Sequence, residues 1–439
     1  MISQFGRVSV SALLFMKVAA GPLWSQTPPR LSPLATEPDW PSLAAFSATM
    51  TKETFDQVVN AIYLDGVAKS PPPWTEDADG LSIDTAPGQP RLRVEFQKPG
   101  GPAKAAPKYW RRPDELPPLQ PADGVLKGLH IALDPGHIGG GYAKMEERWL
   151  QMNGEAPVME GQLTLQVAQL LRPRLEALGA QVSFVRKEEA PVSTAKPDDF
   201  KAVAREVLAK AGIAQPVEDY AGMTGDEKII TVRWQSEKIF YRYSEIRARA
   251  KKVNEELKPD LVICLHLNAE EWGKPEHPVM ITRNHFHLLV NGCYSPEELG
   301  LDDIRFELLE RLFAHCQDEE RQLGDVVATS MAEATGLPPF VYPNHNARRI
   351  DDNPYVWARN LLANRTFQCP VIYLEPYVMN NGETYERLIR GHWIGQTMIN
   401  NQLMTSPLED YTRGVVNGLV AYYAKARTRD TAAKPAPGP

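Results

Sequence analysis

The sequence predicts an α/β protein with a mostly parallel, twisted sheet that is covered by helices on both faces. Short apolar runs of strand length alternate with amphipathic helical runs through residues 126–425. Such alternation is typical of parallel strands joined by helical crossovers. His137, His266 and Glu375 each lie at or just past the end of one of these apolar runs. Because ligands bind at the carboxyl ends of parallel strands, the predicted fold also indicates a single site there.

Four apolar runs and three amphipathic helical runs predict the elements of the main domain. The strands are predicted at 128–133, 181–185, 261–265 and 371–374, and the helices at 163–178, 244–257 and about 411–425. The first helix is the strongest, because leucine and valine recur along one face and Gly179 follows as a C-cap.

A small N-terminal α+β unit is predicted for residues 38–98. Its helix spans 51–64, with Thr51 as the N-cap. Two short alternating runs then form a hairpin, since a Pro- and Gly-containing turn separates them. The unit carries no recognisable catalytic constellation, and its role stays open. A Pro-rich connector, 99–125, joins it to the main domain.

The remaining segments are predicted to lie outside the core. Residues 1–20 have the pattern of a signal peptide, because Arg7 precedes an apolar stretch and small residues follow it. A linker at 21–37 comes next. Two insertions, at about 187–243 and 271–358, are expected around the rim of the site, with 187–243 rich in charges and loops. Residues 426–439 are predicted to be a disordered tail. The expected location is therefore periplasmic or secreted.

Composition excludes two classes of partner. The 439 residues carry 48 basic and 55 acidic side chains, a net charge of −7. Such a protein gains no counterion-release energy on phosphates, so no nucleic-acid partner is expected. No apolar run approaches the ~20 residues of a membrane span. The sequence leaves the oligomeric state open.

The four cysteines are too few for a disulfide scaffold. Cys264 and Cys369 lie in apolar runs and are predicted to be buried thiols. Cys293 and Cys316 lie in a more polar stretch, where a single bridge stays possible.

His137, Glu160 and His266 are the candidate ligands of a catalytic zinc ion. Such a site needs three protein ligands and one open position, and imidazole and carboxylate groups suit the metal. Two neutral histidines and one glutamate leave the ion a net positive charge, so it acidifies a water to a pKa of about 7. Glu375, at another strand end, is the candidate general base.

Four local strings occur in order along the chain: DPGH at 134–137 with Gly139 and Gly140, Glu160 before the leucine-rich helix, LHLNA at 265–269, and EPYVMN at 375–380. With Arg249 and Asn254 on a preceding helix, they resemble the zinc-dependent N-acetylmuramoyl-L-alanine amidases, which cut bacterial peptidoglycan. The resemblance implies the same three zinc ligands, Glu375 as the catalytic carboxylate, and peptidoglycan as the partner. The sequence departs from the family at Ile138, Cys264 and Tyr377.

Two alternatives to this ligand set stay open. The 23 positions between His137 and Glu160 also hold Glu146, Glu147 and Glu155, any of which is a possible third ligand. His285 and His287 are a second candidate metal pair, because side chains two apart on a strand face the same side. A structural or solvated role competes with that interpretation.

Substrate-binding candidates are Asn268 and Asn380, from the resembling strings, and Arg348 and Arg349, whose guanidinium groups suit peptide carboxylates. A solvated loop is the alternative for the two arginines. Rival functions are another zinc amidohydrolase or peptidase of similar fold, or a non-catalytic cell-wall-binding protein. Carboxypeptidases typically carry His and Glu three apart, and position 140 is glycine here.

Overall fold

The computed structural model describes residues 30–66, 71–85, 88–102, 104–152, 154–221, 225–274 and 277–433. The predicted signal peptide lies outside the described residues. So do positions 21–29 of the predicted linker and 434–439 of the predicted tail.

Short strands are spread over the whole described chain. They are β1 Trp74–Glu76, β2 Gly80–Ile83, β3 Leu92–Glu95, β4 His130–Pro135, β5 Trp149–Leu150, β6 Val158–Met159, β7 Gln181–Phe184, β8 Leu261–Leu265, β9 Gly273–Lys274, β10 His277–Pro278, β11 Phe286–Val290, β12 Arg348–Arg349, β13 Val356–Ala358, β14 Val371–Pro376, β15 Thr397–Ile399 and β16 Gln402–Met404.

The α-helices are α1 Lys52–Val58, α2 Glu160–Ala177, α3 Lys201–Lys210, α4 Asp226–Ile229, α5 Val232–Ile239, α6 Glu245–Lys251, α7 Pro296–Leu299, α8 Asp302–Phe313, α9 Cys316–Thr335, α10 Leu362–Thr366, α11 Gly382–Leu388 and α12 Pro407–Ala433. Short 3-10 helices cover Trp40–Phe46, Pro113–Glu115, Gly140–Tyr142 and Pro197–Phe200, and π-helical turns cover Val59–Tyr63, Phe240–Ser244 and Lys252–Leu257.

A seven-stranded sheet of order β12-β13-β11-β14-β8-β4-β7 forms the centre of the molecule. It is parallel from β14 through β8 and β4 to β7, and β11 runs antiparallel to β14. All five residues of β8 are buried, so both faces of the sheet are covered there. The predicted mixed, mostly parallel α/β architecture is confirmed. All four predicted strands of the main domain are present and lie side by side.

The small N-terminal unit packs into the same hydrophobic core as the sheet. The predicted hairpin is β2 paired antiparallel with β3, and β1, which the sequence analysis missed, pairs with β2. Thr51 caps α1 by accepting a hydrogen bond from the backbone N–H of Thr54. Phe55 of this unit stacks on Phe313 of α8, with ring centroids 6.1 Å apart. The contact ties the unit to the helices beside the sheet.

Two helical regions are more extensive than the sequence pattern indicated. The segment 187–243 was expected to be rich in loops, yet it contains α3, α4 and α5, and α5 continues through π-helical turns and α6 to residue 257. Charged residues dilute the helical pattern here. Four of its buried apolar side chains, Ala204, Leu208, Val232 and Ile239, form a small core of their own.

The last helix, α12, runs on to Ala433, past the predicted end at 425. Arg427 explains part of this extension. Its buried guanidinium donates to the carbonyls of Pro117, Val125 and Lys127 in the connector and the start of the main domain. Residues 426–433, predicted as part of a disordered tail, are thus helical, and Arg427 ties the start of this stretch to the main domain.

Two further features bear on function. All four cysteines are buried free thiols, so the bridge considered between Cys293 and Cys316 is absent. Within the described ranges, no helix has both the length and the hydropathy needed to cross a bilayer.

Candidate metal centre

His137, Glu160 and His266 meet at one edge of the sheet. His137 follows β4, His266 follows the adjacent β8, and Glu160 is the first residue of α2. One potential ligand atom from each residue lies within 4.8 Å of the others. In the part of the chain that the structure describes, this is the only such group of three or more His, Cys, Asp or Glu side chains.

Two distances in this trio are close to those between neighbouring ligands of a tetrahedral metal ion. Oε2 of Glu160 lies 3.2 Å from Nε2 of His137, and Oε1 lies 2.9 Å from Nδ1 of His266. With metal–ligand bonds of about 2.0–2.1 Å, neighbouring ligands of a tetrahedral zinc ion lie roughly 3.3 Å apart. The donor set and its spacing therefore suit a divalent ion such as Zn²⁺.

The charge state of Glu160 also suits a ligand. Burial by itself raises the pKa of this carboxyl, but the fields of His137, His266 and Arg148 outweigh burial and lower the pKa to about 2. Glu160 is therefore ionised at neutral pH, and metal ligands must be deprotonated.

The turn 134–137 places His137 and leaves room for His266. His137 has a φ of 56°, a left-handed conformation that is uncommon for a side chain of this size. A Cβ added at Gly136 would lie 2.1 Å from Cε1 of His266. Glycine at 136 is therefore what allows the second imidazole to approach the turn.

Arg249 contacts three residues of this turn and fixes its conformation. Its buried guanidinium forms a 2.8 Å ion pair with Asp134 and donates to the carbonyls of Pro135 and His137, each at 2.7 Å. Glu245, one turn earlier on α6, completes the pairing at 2.8 Å. The arginine that the sequence analysis noted as part of the resemblance thus fixes the backbone that carries His137.

Glu146 is buried against the other side of His137. Its carboxylate lies 3.4 Å from Nδ1 of His137 and accepts hydrogen bonds from the backbone N–H groups of Ile138 and Gly139. A carboxylate on the second ring nitrogen fixes the tautomer and orientation of a metal-binding histidine. This contact points Nε2 of His137 at Glu160, so Glu146 orients a candidate ligand and is not one of the trio.

The other two glutamates considered as ligands are engaged elsewhere. Glu147 accepts hydrogen bonds from Lys228 and from the indole N–H of Trp234. Glu155 is exposed, and its backbone carbonyl accepts from Gln151. Of the four carboxylates in this stretch, the structure brings only Glu160 into the trio.

Replacing Glu146 with glutamine is expected to weaken metal binding about 10–100-fold, because loss of a carboxylate behind a ligand typically costs that much. The measurement is a zinc titration against a competing chelator. Glu147→Gln is the matched control, since it removes a neighbouring carboxylate that faces Lys228. Equal zinc affinity for Glu146→Gln and the parent protein would contradict the positioning role.

Glu375 lies at the same edge, near the end of β14 and beside β8. Its neighbour Leu374 accepts a hydrogen bond from the backbone N–H of His266, so Glu375 and His266 occupy adjacent strand ends. The ring of Tyr373 stacks on His266 with centroids 4.3 Å apart. Burial, together with the field of Glu160, raises the pKa of Glu375 well above its usual value. A raised pKa is a common property of carboxyl groups that serve in proton transfer.

Arg148 is a site residue that sequence reasoning missed. Its Nε lies 3.2 Å from Oε2 of Glu160, and its carbonyl accepts from the Glu160 backbone N–H. The only available signal was the length of the segment between His137 and Glu160. Arg148 brings a positive charge to the rim of the trio, where two carboxylates lie close together.

His285 and His287 do not join the trio. Nε2 of His287 lies 3.0 Å from the hydroxyl of Tyr342, and Nδ1 of both histidines lies near the side-chain amide of Asn268, at 3.3 and 3.5 Å. Burial lowers the pKa of each ring. Both imidazoles are buried in a ring cluster that includes Phe340, and His287 is the cross-strand partner of Glu375.

The predicted substrate-binding residues lie in three different settings. The side chain of Asn268 donates to the carbonyl of Glu375 at 2.8 Å, which places it at the site. Asn380 is buried, and both ends of its amide bond to backbone groups of Glu270 and Val279. Arg348 donates to carbonyls of the N-terminal unit, and Arg349 is exposed on the edge strand β12.

Fold and site together define an α/β protein with a candidate metal centre and an adjacent carboxylate at the carboxyl ends of its strands. No family model matches the chain, and no curated protein matches it. Solved structures that it is similar to are N-acetylmuramoyl-L-alanine amidases, the family that the sequence motifs resemble.

Three of these structures illustrate the likeness. The amidase of Mycobacterium smegmatis is 14% identical with a TM-score of 0.36, covering 68% of this chain and 99% of that one. The enzyme of Clostridium difficile 630 is 13% identical with a TM-score of 0.34, covering 67% and 97%. The catalytic domain from Bacillus (Paenibacillus) polymyxa is 11% identical with a TM-score of 0.34, covering 68% and 99%. Because these values are low, the function proposed below rests on the residues of the site.

Proposed function

We propose that this chain is a zinc-dependent hydrolase of the amide bond between N-acetylmuramic acid and L-alanine in peptidoglycan. The observation that carries the proposal is the trio His137, Glu160 and His266, whose ligand atoms lie within 4.8 Å of one another, with Glu375 on the neighbouring strand end. Two neutral imidazoles and one carboxylate are the ligand set of catalytic rather than structural zinc. The resemblance of the motifs supplies the substrate.

The three ligands would hold Zn²⁺, which supplies a Lewis acid for the scissile carbonyl and a means of acidifying water. Glu146 keeps His137 in the orientation that presents Nε2. Arg249 holds the turn below it, and Gly136 leaves space for His266. These residues keep the ligand atoms in place before substrate arrives, which is how a preorganised site lowers the cost of reaction.

Glu375 acts as general base and then as general acid. It takes a proton from the attacking water, whose oxygen forms a bond to the carbonyl carbon of the lactyl group. The carbon–nitrogen bond then breaks, and Glu375 hands the proton to the leaving nitrogen, giving a free amine on L-alanine and a carboxylic acid on the muramic acid, which then ionises in water. The raised pKa of Glu375 favours its holding the proton between these two steps.

A cell-envelope location, periplasmic or secreted, belongs to this proposal because its substrate lies there. The small N-terminal unit is proposed to serve packing or targeting. Its shared core with α8 supports the packing role, since Phe46 and Phe55 both stack on Phe313.

Digestion of purified sacculi is expected to release peptides that begin with L-alanine while the glycan strands stay intact. Mass spectrometry of the soluble fraction and an assay for reducing sugar ends provide the measurement. Chelation should stop the release, and added zinc should restore it. New reducing ends would identify a glycosidase, and shortened peptide C-termini would identify a peptidase, the main rival. Binding to sacculi without any release would identify a cell-wall-binding protein.

A further inference from the structure

Arg359 is a partly buried arginine that follows β13. Its guanidinium lies 3.4 Å from the hydroxyl of Tyr342 and stacks over that ring at 5.5 Å. Among the residues that the structure describes, no carboxylate forms a salt bridge with it. An arginine carries five N–H donors in a fork that matches a carboxylate, so Arg359 has donors left for an anionic ligand.

The residues between Arg359 and the site form a continuous row. His287 is the cross-strand partner of Glu375, which places their side chains on the same face of the sheet. The hydroxyl of Tyr342 lies 3.0 Å from Nε2 of His287 on one side and near Arg359 on the other. The row therefore runs from Glu375 through His287 and Tyr342 to Arg359. The fields of Arg359 and Glu375 both act on the pKa of Tyr342, which agrees with this order.

We propose that Arg359, with Tyr342 beside it, is a subsite for the free α-carboxylate of the second residue of the stem peptide. The inference rests on the proposed function, because it places the residue after L-alanine on this side of the scissile bond. Tyr342 contributes its hydroxyl group, and its ring lies beside the guanidinium, with the centroid 5.5 Å from Cζ of Arg359. The site should therefore prefer a free α-carboxylate to a carboxamide at the second residue, because the carboxamide lacks the charge that pairs with Arg359.

The dimensions of the sheet support this placement. Three strand spacings separate β8 from β13 in the order β13-β11-β14-β8, which is about 14 Å of backbone. Two extended residues of a substrate peptide span about 7 Å. The guanidinium of Arg359 lies next to Tyr342, on the side of β13 that faces Glu375. The arginine side chain therefore spans the part of the distance across the sheet that the substrate peptide does not reach. The second residue of a peptide cut beside Glu375 thus comes within range of the guanidinium.

The test compares two muramoyl tripeptides that differ only in the α-carboxyl group of the second residue, which is free in one and a carboxamide in the other. The parent protein should favour the free acid by about 10–100-fold in kcat/KM, as expected for a hydrogen-bonded charged group. Arg359→Gln should remove this preference by slowing the acid alone, with its zinc content unchanged. Tyr342→Phe should reduce the preference and serves as a second variant if Arg359→Gln folds poorly.

Arg172→Gln is the matched control, because Arg172 is an exposed arginine on α2 that pairs with Glu176. It should keep the full preference. Equal rates of the parent protein on both tripeptides would overturn the subsite, as would a preference that survives in Arg359→Gln. A preference lost in Arg148→Gln instead would place the carboxylate at the opposite rim and overturn it as well.

A calorimetric titration with the released tripeptide separates failure of the subsite from failure of the proposed function. If the zinc-loaded parent protein hydrolyses neither substrate, the proposed function fails. Tighter binding of the free-acid tripeptide than of its carboxamide, abolished in Arg359→Gln, then still supports the subsite. Equal binding of the two tripeptides overturns it.

Discussion

Glu375→Gln is expected to lower turnover by about 10²–10⁴-fold while the bound zinc stays at the parent level. Glutamine keeps the size of the side chain but cannot take a proton from the attacking water. Glu375 is not part of the trio, so its loss leaves the ligand atoms of His137, Glu160 and His266 in place. The measurement is zinc per protein by elemental analysis, beside kcat on a muramoyl peptide.

Substitution of a candidate zinc ligand should give a different result from Glu375→Gln. His137→Ala, His266→Ala and Glu160→Gln each remove or weaken one of three protein ligands, so zinc content and turnover should fall together. Glu383→Gln is the control for Glu375→Gln, since Glu383 is an exposed carboxylate that pairs with Arg387 on α11. If Glu375→Gln empties the site while Glu160→Gln leaves it full, the two glutamates have each other's roles.

Gly136→Ala is expected to lower turnover by about 10²-fold or more and to weaken zinc binding at the same time. The added Cβ would lie 2.1–2.5 Å from three ring atoms of His266. The imidazole must therefore shift by about 1 Å before its contacts are ordinary, and a misplacement of that size at a reacting centre costs about 10²-fold. Gly136 has no left-handed φ, so the substitution tests space around the ring rather than backbone strain.

Gly141→Ala provides the comparison for this experiment. Gly141 lies a few residues further along the same loop, and a Cβ there would meet nothing within 4 Å. Its zinc affinity and turnover should match those of the parent protein. A Gly136→Ala protein with full zinc and full turnover would show that His266 moves freely, and the geometry of the trio would then not depend on the turn.

Much of this site could be predicted from the sequence, because its residues lie in short local sequence patterns. The turn 134–137, Glu160 at a helix start and His266 after a buried strand are each set by a few neighbouring residues, and strand ends of a parallel sheet meet at one edge. The apolar runs predicted β4, β7, β8 and β14 with small errors at their ends. For the same reason, the helix beginning near Glu160 and the cap at Thr51 were predictable.

The sequence could not rank the carboxylates between His137 and Glu160. Glu146, Glu147 and Glu160 are the same residue type, and the sequence alone does not distinguish their roles. Their roles differ because the chain folds one behind the ring of His137, one against Lys228 and one into the trio. The same holds for the arginines. Arg348 and Arg349 were the candidates for peptide carboxylates, yet Arg348 bonds to backbone carbonyls, and Arg359, ten positions beyond Arg349, points toward the site.

By itself, the sequence determined the α/β class, the strands that carry the site and the positions of His137, His266 and Glu375 at strand ends, because hydrophobic periodicity and strand-end chemistry act over short distances along the chain. Tertiary structure alone decided which carboxylate lies behind His137, that Arg148 contacts Glu160 while Arg359 contacts Tyr342, and that α12 continues to Ala433. Those outcomes depend on contacts between segments far apart in sequence, whose partners are fixed only when the whole core packs.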